Sequence, residues 1–390
     1  MSKKKVLIWE TLATVSGGQK MTLTIMDMLA DKYEFCCLIP AKGMMSEELK
    51  KRNIPYVLMG DQTLPTGVKG KQIIFKYGLM SVKSVWKSLG VIRKYKPDIL
   101  YAPGPAALPW SAVCGTLTRK PVIWHLHHIF LDGTTKKLLN VCGRWKSIRE
   151  IIAVSNCVGD QIANEKAHEK VNVIYNPVNV EKYANGNATR ITIEVESKLG
   201  RKITPDVADS KTIVIGHVAL IQRSKKQWFT LKLIEALRKN GYNAVGVFAG
   251  ECREPEYMTE LNQKVEQYDL REHVTFLGRR NDIPDLLKMI DMLIIPSAFE
   301  GFPLAGLEAA AAGVPVIACD AAGAEEFIHV SGDGVSFTED DVDSAIKAIK
   351  SVMRKSGMYS NSGIEFTKKM SHLEYSEKIG DLFDHVISTR

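Results

Sequence analysis

The sequence lacks Cys-x-x-Cys spacing, and its seven cysteines are scattered along the chain. An odd number of scattered cysteines is not typical of a disulfide framework, in which cysteines pair in a secreted protein. Several of them lie inside apolar stretches, where a cysteine behaves as a small buried hydrophobic residue. We therefore expect reduced thiols and a cytoplasmic protein.

The sequence also has no apolar run that could cross a membrane as one helix. Its longest apolar stretch, 302–324, is interrupted by Pro303, Glu308, Pro315 and Asp320. Hydrophobic residues make up 45% of the chain and charged residues 25%, which is typical of a globular protein. The sequence thus predicts a soluble protein, or one that touches a membrane only at its surface.

Negative charge is scarce in the first half of the chain. Residues 1–190 contain 28 Lys and Arg against 14 Asp and Glu, whereas residues 191–390 contain 24 against 30. A basic half favours an anionic partner such as a membrane surface, a phospholipid-linked substrate or nucleic acid. Because no helix-turn-helix, zinc or RNP pattern accompanies the charge, we expect no nucleic acid partner. We expect peripheral contact with the inner face of an anionic membrane.

One helix predicted in this basic half carries an apolar stripe beside lysines. The stripe comprises Val82, Val85, Trp86, Leu89 and Ile92, and Lys83, Lys87 and Lys94 lie to another side. Two interpretations remain open. Either the stripe packs into the core and the lysines are solvated, or the helix docks on anionic lipid.

Strand-like and helix-like segments alternate along the chain, which predicts parallel sheets in an α/β fold. In the first half the predicted strands are 6–9, 35–39, 54–59, 99–101, 122–126 and 151–154, and the helices are 18–31, 44–52, 72–95 and 158–167. After a polar stretch, 179–210, that we expect to be poor in structure, the strands are 212–218, 244–249, 274–277, 292–296 and 316–318, and the helices are 225–240, 256–268, 282–289 and 304–312.

This pattern predicts two Rossmann-like, doubly wound domains that face a cleft. The predicted boundaries are 1–180 for the first domain and 181–372 for the second. A last helical segment, 373–390, is expected to pack back on the first domain.

The most informative segment is Glu300 to Glu308, where a buried strand runs into a loop and then into an alanine-rich helix that begins near Pro303. The free N–H groups and the positive dipole of a helix start suit a diphosphate. Two carboxylates flank that anion site, and they suit the hydroxyl groups of a nucleotide-sugar, with those of the sugar on one side and those of the ribose on the other. The alternative is that both glutamates are solvated surface charges.

The segment EGFPLAGLEAAAAGVPV resembles the GT4 family of retaining glycosyltransferases, which carries two glutamates with seven residues between them in a similar context. Pro303 departs from the family, which usually has glycine there, and is compatible with a helix start. The resemblance implies a GT-B fold and a catalytic role for Glu300. It also implies donor binding by Gly301, Phe302, Pro303, Leu304 and Glu308.

Two further segments fall at family positions in the first half. Gly17 and Gly18 follow the first strand and open a helix, so their backbone can approach a phosphate or sugar closely, although a plain tight turn is the commoner explanation of such a pair taken alone. His125 and His127 alternate with Leu126 at a strand end. The resemblance assigns His127 to the donor sugar as a catalytic residue, and a structural role or a metal site remain alternatives.

A basic loop in the second half resembles the family's phosphate loop. The alignment places Lys225 on the phosphate-binding lysine and Leu220 where an arginine is common, so Arg223 or Lys226 is expected to supply the missing charge. A solvated basic turn is the alternative. Weaker matches at Gly250 and Arg279 add two predicted donor-binding residues.

The resemblance implies transfer of a sugar from a nucleotide-sugar to an acceptor hydroxyl. The anomeric configuration is retained, and no metal or other cofactor takes part. A UDP-sugar is expected as donor because UDP is the commonest nucleotide in the family. The basic half favours a lipid-linked or growing oligosaccharide as acceptor. Alternatives are a GT-B-type sugar-nucleotide epimerase, a phosphorylase and a catalytically silent sugar- or lipid-binding subunit. A dinucleotide oxidoreductase is not favoured, since the chain lacks the glycine fingerprint. Asp341 and Asp343 form a DxD that we interpret as a helix start.

Overall fold

The computed structural model describes residues 3–60, 71–203 and 212–389, and for residues 71–76 it describes the backbone alone. Within these ranges the chain divides into two compact units. One unit comprises Met1–Asn176 together with His372–Arg390, and the other comprises Pro177–Ser371.

Each unit contains a parallel sheet of short, mostly buried strands. The first unit has β1 (Lys4–Trp9), β2 (Tyr33–Ile39), β3 (Tyr56–Leu58), β4 (Ile99–Ala102), β5 (Val122–Leu126), β6 (Ile148–Ala153) and β7 (Val171–Val173). The second unit has β8 (Ile213–Val218), β9 (Ala244–Ala249), β10 (Val274–Phe276), β11 (Met292–Ile295), β12 (Val316–Cys319) and β13 (Gly334–Phe337).

Helices connect these strands. In the first half of the chain they are α1 (Gly17–Met28), α2 (Met44–Lys51), α3 (Lys71–Tyr95), α4 (Leu108–Thr118), α5 (Gly133–Gly143), α6 (Asn156–Gly159) and α7 (Glu165–His168). They continue with α8 (Val180–Ala184), α9 (Thr189–Leu199), α10 (Gln227–Lys239), α11 (Pro255–Gln267), α12 (Ile283–Met289), α13 (Leu304–Ala312), α14 (Ala322–Ser331), α15 (Val342–Lys368) and α16 (His372–Ser388).

The strand order confirms the predicted doubly wound topology. The first sheet runs β3-β2-β1-β4-β5-β6-β7 and the second runs β10-β9-β8-β11-β12-β13. In each sheet the order reverses beside the first strand, between β1 and β4 and between β8 and β11. Ligands of such folds bind outside the carboxyl ends of the strands at this reversal. The loops after β1, β8 and β11 are therefore the expected ligand-binding loops of the two units.

Buried aliphatic and aromatic side chains explain why these segments become strands. The four residues Val6, Leu7, Ile8 and Trp9 of β1 are all fully buried, as expected of a parallel strand covered by helices on both faces. In the second unit, α10 buries Phe229 against Phe337, with parallel rings whose centres lie 5.3 Å apart. The C-terminal helix α16 belongs to the first unit, where Asp384 accepts a 2.6 Å hydrogen bond from Tyr33.

One expectation about local structure was wrong, and the α3 stripe, whose role the sequence leaves open, proves to be divided between core and surface. The stretch 179–210 contains α8 and α9 among its described residues, and 204–210 lie outside them. The apolar stripe on α3 is only partly buried: Ile92 is 3% exposed, but Val82 is 71% and Trp86 is 82% exposed. The covered face of α3 instead includes Ser84 and Ser88, and Ser88 Oγ accepts a 3.0 Å hydrogen bond from Trp9.

Among the described residues, no helix is long and apolar enough to cross a membrane. Asp341 caps α15, because its side chain accepts from the main-chain N–H of Ser344 at 3.0 Å. This confirms the interpretation of that acidic pair as a helix start.

Candidate active site

The topological reversal of the second sheet brings two predicted site residues together. β8 pairs in parallel with β11, so the loops that follow their carboxyl ends are neighbours. Lys225 lies in the first loop and Glu300 in the second. The Nζ of Lys225 lies 2.6 Å from Oε1 of Glu300, and both side chains are less than a quarter exposed. The structure thus pairs the cation and the carboxylate that the sequence singles out most strongly.

The Glu300 loop is held tightly in place. Ser297, at the end of β11, donates a hydrogen bond to the same Oε1 of Glu300. The main-chain carbonyl of Glu300 accepts from the N–H of Gly323 at 3.0 Å. A Cβ on Gly323 would lie 1.9 Å from the carbonyl oxygen of Gly301, so only glycine fits there. These contacts fix the carboxylate without help from a ligand, which is the preorganisation that a binding or catalytic group needs.

A buried histidine that sequence reasoning did not single out lies close to this pair. His217, on β8, is 2% exposed and its Nδ1 forms a 2.9 Å hydrogen bond with the hydroxyl of Thr230. Burial, with a smaller effect of Lys225, lowers the pKa of His217 to about 3, against an opposing effect of Glu300. The imidazole is therefore neutral at physiological pH. In the sequence, the feature that could have identified His217 is its position as a polar residue in an otherwise apolar strand.

Helix α13 begins at Leu304, and Pro303 is its N-cap. The first hydrogen bond of the helix runs from Leu307 N–H to Pro303 C=O at 3.2 Å. The N–H groups of Leu304, Ala305 and Gly306 therefore have no partner within the helix, and this is the helix end at which the sequence predicts an anion site.

The residues that precede α13 are buried, including Gly301, Phe302 and Pro303. Phe302 is 4% exposed, and its ring packs edge-on against Phe327 with centres 5.7 Å apart. The Phe302 side chain is thus part of the core. Any contact that Phe302 makes with a ligand has to come from its main chain.

Glu308, on α13, is paired with a tyrosine that the sequence analysis missed. The hydroxyl of Tyr183 donates to Oε1 of Glu308 at 2.6 Å. Tyr183 lies on α8, inside the stretch that was expected to be poor in structure. The only available signal was the N-cap sequence Asn179-Val180-Glu181-Lys182, since Asn179 Oδ1 accepts from the N–H of Lys182 at 2.9 Å.

The two other predicted cations are bound to carboxylates on different elements. Arg223 is exposed and donates to Glu260 on α11, with one hydrogen bond of 2.9 Å. Lys226 donates to Asp340 at 2.7 Å and also to Glu339. At the position where an arginine was expected, the carbonyl of Leu220 accepts a 2.9 Å hydrogen bond from Gln227. Of the three basic residues in this loop, Lys225 is the one that the structure places on Glu300.

Gly250 and Arg279 lie at neighbouring strand ends of the second sheet. Gly250 follows β9, and a Cβ there would lie 1.7 Å from the carbonyl oxygen of Ala219. Its N–H donates to the carbonyl of Gly278 at 2.8 Å, and the exposed Arg279 comes next in the chain. The close approach of two loops requires a glycine at position 250. This requirement explains the residue whether or not a ligand binds there.

In the first unit, the reversal between β1 and β4 holds the predicted Gly17–Gly18 segment. Ser16 and Gln19 form a capping box at the start of α1. Gln19 donates to Oε2 of Glu10 at 2.9 Å, and Thr22 donates to its other oxygen. Glu10 lies at the end of β1 and is 1% exposed, and this burial raises its pKa. The buried carboxyl group therefore anchors the start of α1.

His127 lies against this glycine segment. A Cβ on Gly18 would lie 3.8 Å from the His127 ring. The His127 ring also packs at a tilt of 34° against His125 with ring centres 4.0 Å apart, and His125 Nδ1 shares a hydrogen bond with the hydroxyl of Tyr101. Burial holds the pKa of His127 well below its usual value, and its Nε2 is buried without a partner among the described residues. The first unit thus presents a neutral imidazole with one uncommitted nitrogen.

Comparisons with known proteins give two family matches. Residues 202–370 match the family described as Glycosyl transferases group 1, and residues 15–182 match Glycosyltransferase Family 4. The two matches lie side by side and together take in most of the chain.

Two curated relatives align over most of their length. The UDP-Gal:alpha-D-GlcNAc-diphosphoundecaprenol alpha-1,3-galactosyltransferase of Escherichia coli is 24% identical, with 89% of this chain and 87% of that protein covered. The N-acetyl-alpha-D-glucosaminyl L-malate synthase of Bacillus anthracis is 23% identical, with 80% of each covered. Among solved structures, Anabaena Alr3699/HepE in complex with UDP-glucose superposes with a TM-score of 0.79 at 21% identity, covering 98% of this chain and 99% of that one.

Proposed function

Because the chain belongs to the GT4 family of retaining glycosyltransferases, we propose that it transfers a hexose from a UDP-sugar to the hydroxyl group of a lipid-linked saccharide. The GT-B fold predicted from the sequence is confirmed, since the solved structures that superpose on 98% of the chain share it. The observation that carries the proposal is the Lys225–Glu300 pair beside the start of α13.

The geometry of this pair supports a donor site. A lysine ammonium group has three N–H donors, so Lys225 can keep its bond to Glu300 and also donate to a diphosphate oxygen. The free N–H groups at the start of α13 supply further positive potential for the same anion. As the bond to the sugar breaks, negative charge develops on the diphosphate, and these groups stabilise it without a metal ion. As a carboxylate, Glu300 can accept a hydrogen bond from a hydroxyl of the sugar.

We assign the remaining predicted residues to the same reaction. Residues 181–372 bind the nucleotide-sugar, and Glu308 accepts hydrogen bonds from the ribose. Residues 1–180 bind the acceptor. They also contribute Gly17, Gly18 and His127, whose neutral imidazole can donate to or accept from a sugar hydroxyl. These assignments are supported by the positions of Gly17, Gly18 and Glu308 after strands at the two topological reversals, and by the contact of His127, which follows β5, with Gly18.

Two observations support UDP as the nucleotide and a lipid-linked saccharide as the acceptor: the names of the relatives and the charge of this chain. The Escherichia coli relative is named for UDP-Gal and for an undecaprenol diphosphate. Residues 1–190 carry the excess of Lys and Arg that suits a membrane-bound diphosphate. The exposed Val82 and Trp86 lie beside the exposed Lys83 and Lys87 on α3, an arrangement that favours peripheral contact with an anionic membrane.

A transfer assay tests the proposal. Purified protein is incubated with UDP-glucose, UDP-galactose, UDP-N-acetylglucosamine or GDP-mannose, and with either an undecaprenyl-diphosphate-linked sugar or malate as acceptor. We expect a glycolipid product from one of the UDP-sugars. Product from malate would favour the acceptor class for which the Bacillus anthracis relative is named, and transfer only from GDP-mannose would contradict the choice of UDP.

The same assay separates the alternative functions. A new UDP-sugar formed without acceptor would indicate an epimerase. Sugar phosphate formed from a glycan and inorganic phosphate would indicate a phosphorylase. Tight binding of UDP with neither transfer nor hydrolysis would indicate a silent binding subunit.

A further inference from the structure

We propose that Tyr183 is a positioning residue for the nucleotide, and that it acts by fixing the carboxylate of Glu308 for the two hydroxyl groups of a ribose. This inference rests on the proposed function and goes further by naming a residue outside the family segment Glu300 to Glu308. Its basis is the 2.6 Å hydrogen bond from the Tyr183 hydroxyl to Oε1 of Glu308.

The chemistry of the pair sets the direction of this hydrogen bond. Burial and the neighbouring Glu308 raise the pKa of Tyr183 far above its usual value, so the phenol keeps its proton. Tyr183 is therefore a permanent donor to Glu308. A carboxylate has two oxygens with about four acceptor positions, and the phenol occupies one of them. The remaining positions are available for neutral donors such as hydroxyl groups.

The surroundings of Tyr183 make it a rigid support. The side chain is 7% exposed and packs within the second unit, and Lys182 lies over its ring at 5.2 Å. The chain just after α8 packs closely against α12. A Cβ on Gly186 would lie only 2.2 Å from the carbonyl oxygen of Pro284. A glutamate side chain has three rotatable bonds, and a fixed donor at one oxygen selects one of its orientations.

A fixed orientation matters for a ribose because its two neighbouring hydroxyl groups must meet the carboxylate together. Paired hydrogen bonds of this kind depend on geometry more strongly than a single bond does. Removal of the Tyr183 hydroxyl should therefore weaken binding of the ribose and leave binding of the diphosphate unchanged. A purely structural role predicts a different result, namely lower stability with no preference among nucleotides.

Calorimetric titration of the full chain with UDP and with 2′,3′-dideoxy-UDP tests the proposal. We expect the wild-type protein to bind UDP more tightly than the dideoxy nucleotide. The Tyr183→Phe variant should bind UDP about tenfold more weakly and dideoxy-UDP within about twofold of wild type. Tyr359→Phe is the control, since its hydroxyl bonds Ser351 on the same helix, α15, in the same unit.

A second comparison shows whether Tyr183 acts through Glu308. In a Glu308→Ala background, which removes both acceptor oxygens, the further change Tyr183→Phe should have no added effect on UDP affinity, because the tyrosine acts through the carboxylate. Additive losses would overturn the proposal, and so would equal losses for UDP and dideoxy-UDP in the single Tyr183→Phe variant.

The outcome also distinguishes this inference from the proposed function. If the wild-type chain binds no nucleoside diphosphate and transfers no sugar, the proposed function fails and the inference fails with it. If it binds UDP and transfers sugar, but Tyr183→Phe keeps the full wild-type preference for the ribose hydroxyls, the inference alone is overturned. A variant that does not fold is recognised by its loss of the thermal unfolding transition, and Tyr183→Met then provides the hydroxyl-free side chain.

Discussion

The ammonium group of Lys225 lies 2.6 Å from Oε1 of Glu300, although 75 residues separate the two in the sequence. The sheet order explains this contact, because β8 and β11 are neighbours and their following loops leave the same edge. Glu300 lies just before the start of α13 in the chain, and the first main-chain N–H groups of that helix have no partner within it. That combination suits a sugar diphosphate, with the N–H groups and Lys225 on the anion and Glu300 on the sugar.

Replacement of Glu300 by glutamine should abolish most of the transferase activity. Glu300→Gln keeps the size of the side chain but removes its negative charge, and with it the strong acceptor for a sugar hydroxyl and for Lys225. We expect kcat to fall roughly 100-fold in a steady-state transfer assay. The matched control is Glu260→Gln, which removes a carboxylate that pairs with a loop cation, Arg223, on a different element. Equal kinetics for Glu300→Gln and wild type would contradict the assignment.

The three basic residues of the phosphate loop should differ in their effect on donor binding. We expect Lys225→Gln to lower kcat/KM for the UDP-sugar by about 10- to 100-fold, since it removes a charge-assisted hydrogen bond to the diphosphate. Lys226→Gln should change it less than about threefold, because Lys226 already pairs with Glu339 and Asp340. A larger loss for Lys226→Gln or Arg223→Gln would identify that residue as the replacement for the arginine expected at Leu220.

Much of the fold was predictable from sequence because buried parallel strands are short and apolar. The predicted strands 122–126 and 244–249 and the predicted helix 304–312 agree with β5, β9 and α13 residue for residue. Short or polar elements were missed, among them β7, β13 and α8, since three to five residues carry too little periodicity to be recognised.

Which face of an element is covered was harder to predict. On α3, the spacing places Val82, Trp86 and Ile92 on one stripe, which the sequence assigns either to the core or to a lipid-facing surface. In the folded chain Ile92, Ser84 and Ser88 are all buried, whereas Trp86 is exposed. Periodicity tells which residues share a face, and only the neighbouring elements decide which face is buried. Likewise Lys225 and Glu300 were found through a motif, whereas Tyr183 required the packing of α8 beside α13.

A buried carboxyl group should make the stability of the protein depend on pH. Asp333 is fully buried before β13, and neither carboxyl oxygen has a hydrogen-bond partner among the described residues. Burial raises its pKa well above the usual value. Between the unfolded and the folded pKa the folded protein therefore holds one more proton than the unfolded chain, so the free energy of unfolding falls as pH rises through this window.

Asp333→Asn tests this dependence, since the amide has the same shape and does not ionise. The free energy of unfolding of both proteins is measured in urea at pH 5 and at pH 8. Between pH 5 and pH 8 the wild type should lose stability relative to Asp333→Asn. A difference that is the same at both pH values would show that Asp333 does not titrate in this range.

Removal of divalent cations should leave the activity intact. Lys225 and the start of α13 supply the positive charge that the leaving diphosphate needs. Among the described residues, no group of three or more His, Cys, Asp or Glu side chains is arranged to hold a metal ion. We expect the transfer rate in EDTA to stay within about twofold of that in magnesium buffer. Strict dependence on Mn²⁺, restored by adding the ion back, would contradict a metal-independent mechanism.

The exposed apolar residues of α3 should mediate binding to an anionic membrane. Trp86 is 82% and Val82 is 71% exposed, with exposed Lys83 and Lys87 beside them. An indole ring inserts at the interface of a bilayer, and each lysine near an anionic surface adds about 1 kcal/mol of attraction. Trp86→Glu removes the apolar anchor and adds a repulsive charge on a solvent-facing side. We expect the variant to fold normally and to bind vesicles more weakly.

Sedimentation with vesicles of phosphatidylglycerol and phosphatidylcholine measures the effect. We expect Trp86→Glu to lower the bound fraction at least about fivefold on anionic vesicles. The control is Leu373→Glu on α16, which adds the same charge at another exposed leucine of the same unit, 68% exposed. Both variants should turn over a water-soluble acceptor analogue at the wild-type rate, because neither residue lies at a topological reversal. Equal losses of vesicle binding in the two variants would show that net charge, and not the α3 patch, determines membrane contact.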